Sequence, residues 1–307
     1  MSRDLQILLL SDGKPGHENQ SRGLVEAIGR QVGVQVTLLP VKREPLLPRI
    51  FASSDLPEDT PKPDLIVGAG HTVHGRLLAL SRKTKAPSVV LMKPSLPTGL
   101  FDLCLIPRHD LKGKKPGRNV IATRGAINRV PPSGDRPRHG GLILVGGPSS
   151  SHGWDSAKLS EAVSTIVSAC GDRPWRATDS RRTPKDDLRA MRHACPALIT
   201  HPHRTTGRDW LPERLAEAAE VWVTEDSVSM IYEALSSGAR VGLLPVPRLK
   251  PGGRVARGID ELVSDGYLTP FDRWEPGTPL PEPPEILRES ERCAAEALKR
   301  FFPFLLR

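Results

Sequence analysis

The sequence predicts an α/β protein built from two Rossmann-like domains, their parallel sheets facing across a cleft. Three observations carry this. Apolar runs of strand length alternate with helical patterns along most of the chain. The alternation is broken near the middle by "VPPSGDRPRHGG", rich in Pro, Gly and charge, and then restarts. The length, 307 residues, also exceeds what one core of usual size needs.

In the first half, strands are expected at 5–10, 34–41, 64–69, 88–93, 102–107 and 118–123, with helices near 18–31 and 72–84. The run Leu5–Leu10 has the length and flanks of a buried strand. After the break come strands at 142–145, 174–179, 197–200, 221–224 and 241–245. Helices at 155–169, 184–193, 211–219, 227–237 and 254–265 separate or follow them. A last helix near 285–300 follows the proline-rich "PGTPLPEPPE". The domains are therefore placed at 1–135, 136–284 and 285–307, the last a helix and tail packing back on the body. The ending "LKRFFPFLLR" has a second reading as a membrane-surface anchor, but it is short and Pro303 interrupts any helix, so packing is expected.

Composition narrows the classes. Residues are 38% hydrophobic and 26% charged, and no apolar run reaches the ~20 residues that span a bilayer. Four scattered cysteines without a C-x-x-C suggest neither a disulfide framework nor a thiolate zinc site. The first strand begins too early for a signal peptide, so a cytoplasmic location is expected, with peripheral attachment to an inner membrane as the alternative. A net charge of +9 favours an anionic partner: a nucleotide, a phosphorylated sugar, an acidic lipid surface or nucleic acid. Nucleic acid is not expected, since aromatics are 4% and no RNA- or DNA-binding motif appears. The oligomeric state is not legible.

Three strand ends in the second half carry equipment for phosphate. Gly146 and Gly147 would let the backbone approach a ligand, and their N–H groups with the Ser149 hydroxyl suit an anion. Ser180, Arg181, Arg182 and Thr183 precede Pro184, a pattern that predicts a helix capped by Thr183 and starting at Pro184. Asp226, Ser227, Ser229 and Met230 open another helix, within which Glu233 could accept hydrogen bonds from ribose hydroxyls. In one parallel sheet these loops share an edge, and together they point to a nucleotide diphosphate. Each alone is weak, since such loops are usually only turns or helix caps.

The first strand is followed by "SDGKPGHENQ", in which Asp12, Gly13, Lys14, Gly16 and His17 crowd into what is read as a ligand loop. Gly70 and His71 end another first-half strand, and Lys93 a third, where it suits an acceptor phosphate or a solvated loop. His71 with His74, and His201 with His203, lack a completing carboxylate or Cys in sequence, so no metal is expected. No cofactor is expected either. G-x-x-x-x-G-K-[ST] is absent, as is G-x-G-x-x-G after the first strand, which argues against P-loop and dinucleotide enzymes. An epimerase of the short-chain dehydrogenase type needs a Tyr with Lys four residues on. Tyr232 and Tyr267 are followed at that spacing by Ser236 and Phe271.

"LSDGKPGHENQ", "VGAGHTVHG", "MKPSLP", "LVGGPSSSHGWD", "TDSRRTP" and "TEDSVSMIYEALSSG" follow in order from residue 10 to about 245. With them the chain resembles the mitochondrial-fission family first named for elongated mitochondria in plants, which has bacterial members. "SVSMIYEALSSGARVGLLPV" is also similar to the donor-binding segment of two-Rossmann-domain (GT-B) glycosyltransferases. Glu233, Gly238 and Val241 fall at the matching places. The resemblance implies a GT-B-like fold, a nucleotide-diphosphate sugar as substrate, and an acceptor-facing loop at Gly13–His17. That loop departs from the usual Gly-Gly-His. The activity expected is metal-independent sugar transfer to a lipid-linked or envelope acceptor. His17 would be the general base and Asp12 the second choice. The competing expectation is a non-catalytic scaffold of the same shape that recruits protein partners.

Overall fold

The computed structural model describes residues 3–41, 55–57, 60–111, 113, 115–132, 137–171, 173–207 and 209–306. The linker reading at 130–141 therefore lies partly outside the described residues. The chain divides into two compact units: Met1–Arg129 with Arg288–Arg307, and Val130–Leu287.

The first unit opens with β1 (Leu5–Ser11), α1 (Pro15–Gly29) and β2 (Val34–Pro40). Then come β3 (Leu65–Ala69), α2 (His74–Thr84), β4 (Ser88–Leu91), β5 (Leu103–Pro107), the short α3 (Arg108–Leu111) and β6 (Val120–Thr123). Its six strands pair in the order β2-β1-β3-β4-β5-β6, each pairing parallel. Alternation along β1 supplies both faces. Leu5, Ile7 and Leu9 enter one core with Leu24 and Ile28 of α1, while Leu8 and Leu10 enter another with Leu77 and Leu80 of α2.

The second unit holds β7 (Gly141–Leu144), α4 (Ser156–Ala169), β8 (Trp175–Thr178), α5 (Asp187–Ala194), β9 (Leu198–His201) and α6 (Trp210–Glu217). β10 (Glu220–Thr224), α7 (Val228–Ser237), β11 (Arg240–Leu244), α8 (Arg254–Ser264) and the two-residue β12 (Thr269–Pro270) complete it. The order here is β12-β11-β10-β7-β8-β9, again parallel throughout. Leu142 and Leu144 of β7 pack with Ile231 and Leu235 of α7. Ile143, with Val145 just beyond the strand, packs on the opposite side against α4 and Trp222.

A final helix, α9 (Glu289–Phe301), returns the chain to the first unit. Its Cys293, Ala294, Ala297 and Leu298 are buried in the core that also receives α1. Small residues on this stripe let the two helices approach closely, and a few polar groups lock the docking. Ser290 Oγ donates to the Asn128 carbonyl at 2.7 Å, and the Glu289 carboxylate accepts from the Arg124 N–H at 3.0 Å.

Two of the expected boundaries that move bear on the candidate site. Gly16 and His17 belong to the first turn of α1, which begins at Pro15, so the loop after β1 is shorter than expected. α5 begins at Asp187 and not at Pro184, and Thr183 caps nothing there.

Candidate functional site

In an open parallel sheet a crevice forms at the carboxyl ends of the strands where the strand order reverses. The first sheet reverses between β1 and β3, the second between β7 and β10. Both points fall on loops that the sequence marks, and each is built within its own unit.

At the first reversal, the third residue of α1, His17, turns back over the loop. Its Nδ1 lies 3.0 and 3.1 Å from the two carboxylate oxygens of Asp12. Asp12 is almost fully covered (2% side-chain exposure) and His17 partly so (18%). A carboxylate only accepts, so this contact holds the imidazole with its proton on Nδ1 and leaves Nε2 as the basic nitrogen. Asp12 thus orients the imidazole, and Lys14 Nζ sits 3.9 Å from the Asp12 carboxylate. Gly13 donates its N–H to Ser11 Oγ. Gly70, at the end of β3, has φ +85°, and a Cβ there would lie 2.3 Å from His17 Nδ1. Gly70 therefore makes room for His17. His71 and Lys93 are exposed, while His74 is buried with its Nδ1 3.2 Å from Ser95 Oγ. Met92, just before Lys93, takes φ +69°, a strained conformation for a residue with a side chain.

At the second reversal the three marked loops bind one another. Gly146 N–H donates to Thr224 Oγ1 at 2.7 Å, and Gly147 N–H to Asp226 Oδ2 at 3.0 Å. The N–H pair expected to meet an anion is thus engaged by the protein. Ser149 Oγ accepts from the N–H groups of Ser151 and His152 within its own turn. Ser180 Oγ donates to the Gly146 carbonyl at 3.0 Å, and Thr183 Oγ1 to the Val145 carbonyl at 3.0 Å. This explains why Thr183 is not a helix cap: its hydroxyl is drawn to the end of β7. Arg182 reaches Asp226 Oδ2 at 2.7 Å and the Gly147 carbonyl at 2.5 Å. The Asp226 side chain is fully buried (0%). A Cβ on Gly147 would collide with the Arg182 carbonyl, so the tight mesh requires glycine.

Two features of this edge remain open. Arg181 is exposed and makes no hydrogen bond or ion pair with any described residue. Ser227, the N-cap of α7, makes no side-chain capping bond, and no described group accepts from the N–H of Val228, Ser229 or Met230. Donors left unengaged at a helix start can receive an anion. Glu233 is half-buried one and a half turns on, and Gly238 ends the helix at φ +78°.

Sequence reasoning missed a third layer. The loops after β7 and β11 are zipped together: Gly153 N–H donates to the Pro247 carbonyl at 2.7 Å, and Leu249 N–H to the Ser151 carbonyl at 2.9 Å. Beneath the zipper the buried His152 places Nε2 3.9 Å from the Glu225 carboxylate, and neither ring nitrogen has a hydrogen-bond partner. Arg248 Nε donates to Glu225, and Arg248 Nη2 donates to Asp260 at 2.8 Å. Burial holds the Glu225 carboxyl above its usual range, the Arg248 guanidinium opposing it. On the same edge His203 Nδ1 lies 2.9 Å from Asp179. Burial lowers the pKa of His201, helped by Arg176 and Arg214. Among the described residues no three His, Cys, Asp or Glu side chains gather in a way that could hold a metal ion. No described helix is long and apolar enough to cross a membrane.

Two doubly wound parallel units in sequence, each with its marked loops at the strand-order reversal, define the GT-B class of fold. Solved structures agree. The chain is similar to the UDP-GlcNAc 2-epimerase from Methanocaldococcus jannaschii (12% identity, TM-score 0.51, covering 96% of this chain and 99% of that one). It is likewise similar to MnaA of S. aureus, solved with UDP (14%, TM-score 0.50, 99% and 98%). A third is AviGT4, a glycosyltransferase of avilamycin A biosynthesis (14%, TM-score 0.50, 98% and 98%). At such identities the likeness is one of fold. The chain belongs to the mitochondrial fission ELM1 family, whose model matches residues 15–301. Among curated protein sequences none matches.

Proposed function

We propose that the chain binds a nucleotide-diphosphate sugar on its second unit and transfers the sugar, without a metal ion, to an acceptor hydroxyl. The observation that carries this reading is the open start of α7. Three backbone N–H groups and the Ser227 hydroxyl are engaged by no described residue at a strand-order reversal, beside loops otherwise closed on themselves. The positive end of the helix dipole and the exposed Arg181 suit a diphosphate leaving group. Glu233 is assigned to the ribose hydroxyls.

In the transfer step, the bond from the anomeric carbon to the diphosphate oxygen breaks, its electron pair leaving with the diphosphate. The acceptor oxygen bonds to that carbon and its proton passes to His17 Nε2, with Asp12 holding the ring. A lipid-linked or envelope acceptor is proposed from the positive charge of the chain. UDP in the MnaA structure and the glycosyltransferase activity named for AviGT4 support a nucleotide-sugar ligand.

A second reading, a non-catalytic scaffold of the same fold, is favoured by one observation. The Gly146 and Gly147 donors and most of Arg182 are consumed internally, leaving fewer groups for a leaving diphosphate than the sequence promises.

Thermal-shift measurements with UDP, GDP, ADP, CMP and their sugars, on wild type, Glu233→Ala and Ser227→Ala, test the reading. Ligand at 100 times its Kd stabilises by about 2.7 kcal/mol. A shift with one nucleotide that both variants lose supports the donor site, and product analysis then separates transfer from epimerisation. No shift with any nucleotide overturns the donor site and favours the scaffold.

A further inference from the structure

The segment that follows α9 is docked on one side and bare on the other. Phe302 is buried in the core that receives α1, and Leu305 packs against the same core. The Phe302 N–H donates to the Leu298 carbonyl at 2.7 Å and the Leu305 N–H to the Phe302 carbonyl at 3.0 Å, so the 3₁₀ turn Pro303–Leu306 is fixed to the body. The alternation that sends Phe302 and Leu305 inward sends Phe304 and Leu306 outward, where they are 64% and 48% exposed. The rings of Phe302 and Phe304 meet edge to face at 6.3 Å, which holds the outer ring in place.

Cations flank this turn. Lys299 and Arg300 occupy the last turn of α9 and are exposed. Arg300 donates to the Arg118 carbonyl at 2.8 Å and to the Asp102 carbonyl at 3.4 Å, which ties the helix end to the loops entering β6 and β5. Those loops carry exposed Lys115 and Arg118, and exposed Leu100 (45%). Of the nearby acids, the Asp102 carboxylate is committed to Ser88, and Glu296 lies a turn back along α9. The whole surface lies at the amino-terminal edge of the first sheet, the edge opposite the Asp12 and His17 loop.

We propose that this surface docks the first unit on an anionic lipid bilayer. Rigidly presented aromatic and aliphatic side chains inside a basic border match an interface that is apolar below and negatively charged above. Phe304, Leu306 and Leu100 enter the headgroup boundary, while Lys299, Arg118 and Lys115 meet lipid phosphates. Because the docking edge is opposite the His17 loop, attachment leaves that loop uncovered by the membrane. The proposal stands apart from the nucleotide-sugar reading, since no residue is shared.

Co-sedimentation with vesicles tests it, comparing pure phosphatidylcholine with mixtures holding about 30% phosphatidylglycerol. The chain should bind the anionic vesicles, and binding should weaken at about 1 M salt, where the screening length falls to about 3 Å. Phe304→Ser with Leu306→Ser should weaken binding at least about tenfold, and Lys299→Glu at least about fivefold. Both variants should stay folded, the serine pair with a small fall in melting temperature from the lost Phe302–Phe304 contact and Lys299→Glu with none. Absence of binding to anionic vesicles overturns the proposal, as does binding that neither variant changes. Sedimentation velocity covers the remaining occupant. Self-association that Phe304→Ser abolishes, without lipid binding, would assign the surface to a second copy of the chain and overturn the proposal too.

Discussion

His17 and Asp12 form a closed pair: the imidazole Nδ1 contacts both oxygens of a carboxylate whose side chain is only 2% exposed. The pairing fixes the tautomer as well as the ring, and that gives Asp12 a role separable from charge. Under the transfer reading, Asp12→Asn should lower kcat by about 10²–10⁴-fold with KM little changed. Steady-state kinetics on the variant checks it, and a loss confined to KM would remove Asp12 from the base assembly.

Gly70→Ala should damage the same pair from the other side. Its Cβ would lie 2.3 Å from His17 Nδ1 and its φ of +85° disfavours any side chain. Thermal denaturation is expected to show a loss of about 1–3 kcal/mol, with His17 displaced from Asp12.

The second unit has its own sensitive contact. Arg182→Ala leaves the fully buried Asp226 carboxylate with only the Gly147 N–H on Oδ2 and nothing on Oδ1. Because Arg182 is itself 41% exposed, solvent moderates the loss to about 1–3 kcal/mol. Arg182→Lys should recover only part of it, since an ammonium cannot bridge the carboxylate and the Gly147 and Pro148 carbonyls together. Urea unfolding of the two variants is the check.

Glu225 predicts a pH dependence. Burial raises its carboxyl above the ordinary 4.5, against the opposing pull of Arg248 and His152. Above 4.5 and below the raised value, the folded chain holds a proton that the unfolded chain has released. Stability linked to this group is therefore present below 4.5 and lost as pH rises through the folded-state value. Urea midpoints measured upward from pH 4.5 should fall less steeply in Glu225→Gln than in wild type.

Thiol reactivity should be ordered by burial. Burial pushes Cys104 and Cys293 up to about 12, and Cys195 is also buried. Cys170 is the partly exposed one, although burial and Glu220 raise its thiol as well. Iodoacetamide followed by peptide mass mapping should find Cys170 modified first, and slowly.

Much of the fold was legible because each strand core is a short apolar run between turn residues. Leu5–Leu10, Leu142–Val145 and Val221–Thr224 announce themselves by composition and match β1, β7 and β10 within a residue or two. β12 was not legible: two residues, one of them proline, make no pattern. The start of α5 differs from the local sequence signal for a physical reason. Thr183-Pro184 is a good local cap, but the carbonyls at the end of β7 bind the threonine hydroxyl more productively than its own chain does. Site residue types were visible, whereas their engagements were not. That Gly147 meets Asp226, or Arg248 meets Glu225, depends on strand order, which no local spacing encodes.

The return of α9 to the first unit has a consequence for synthesis on the ribosome. The second unit, Val130–Leu287, emerges whole and can close its core while translation continues. The first unit emerges earlier yet cannot finish, because the stripe of Cys293, Ala294, Ala297 and Leu298 that covers α1 is translated only after the second unit. Until then Leu24 and Ile28 lack part of their cover, and the nascent chain carries a sticky face while the whole second unit is made. The half made first is the half completed last, and chaperone demand should track residues 1–129.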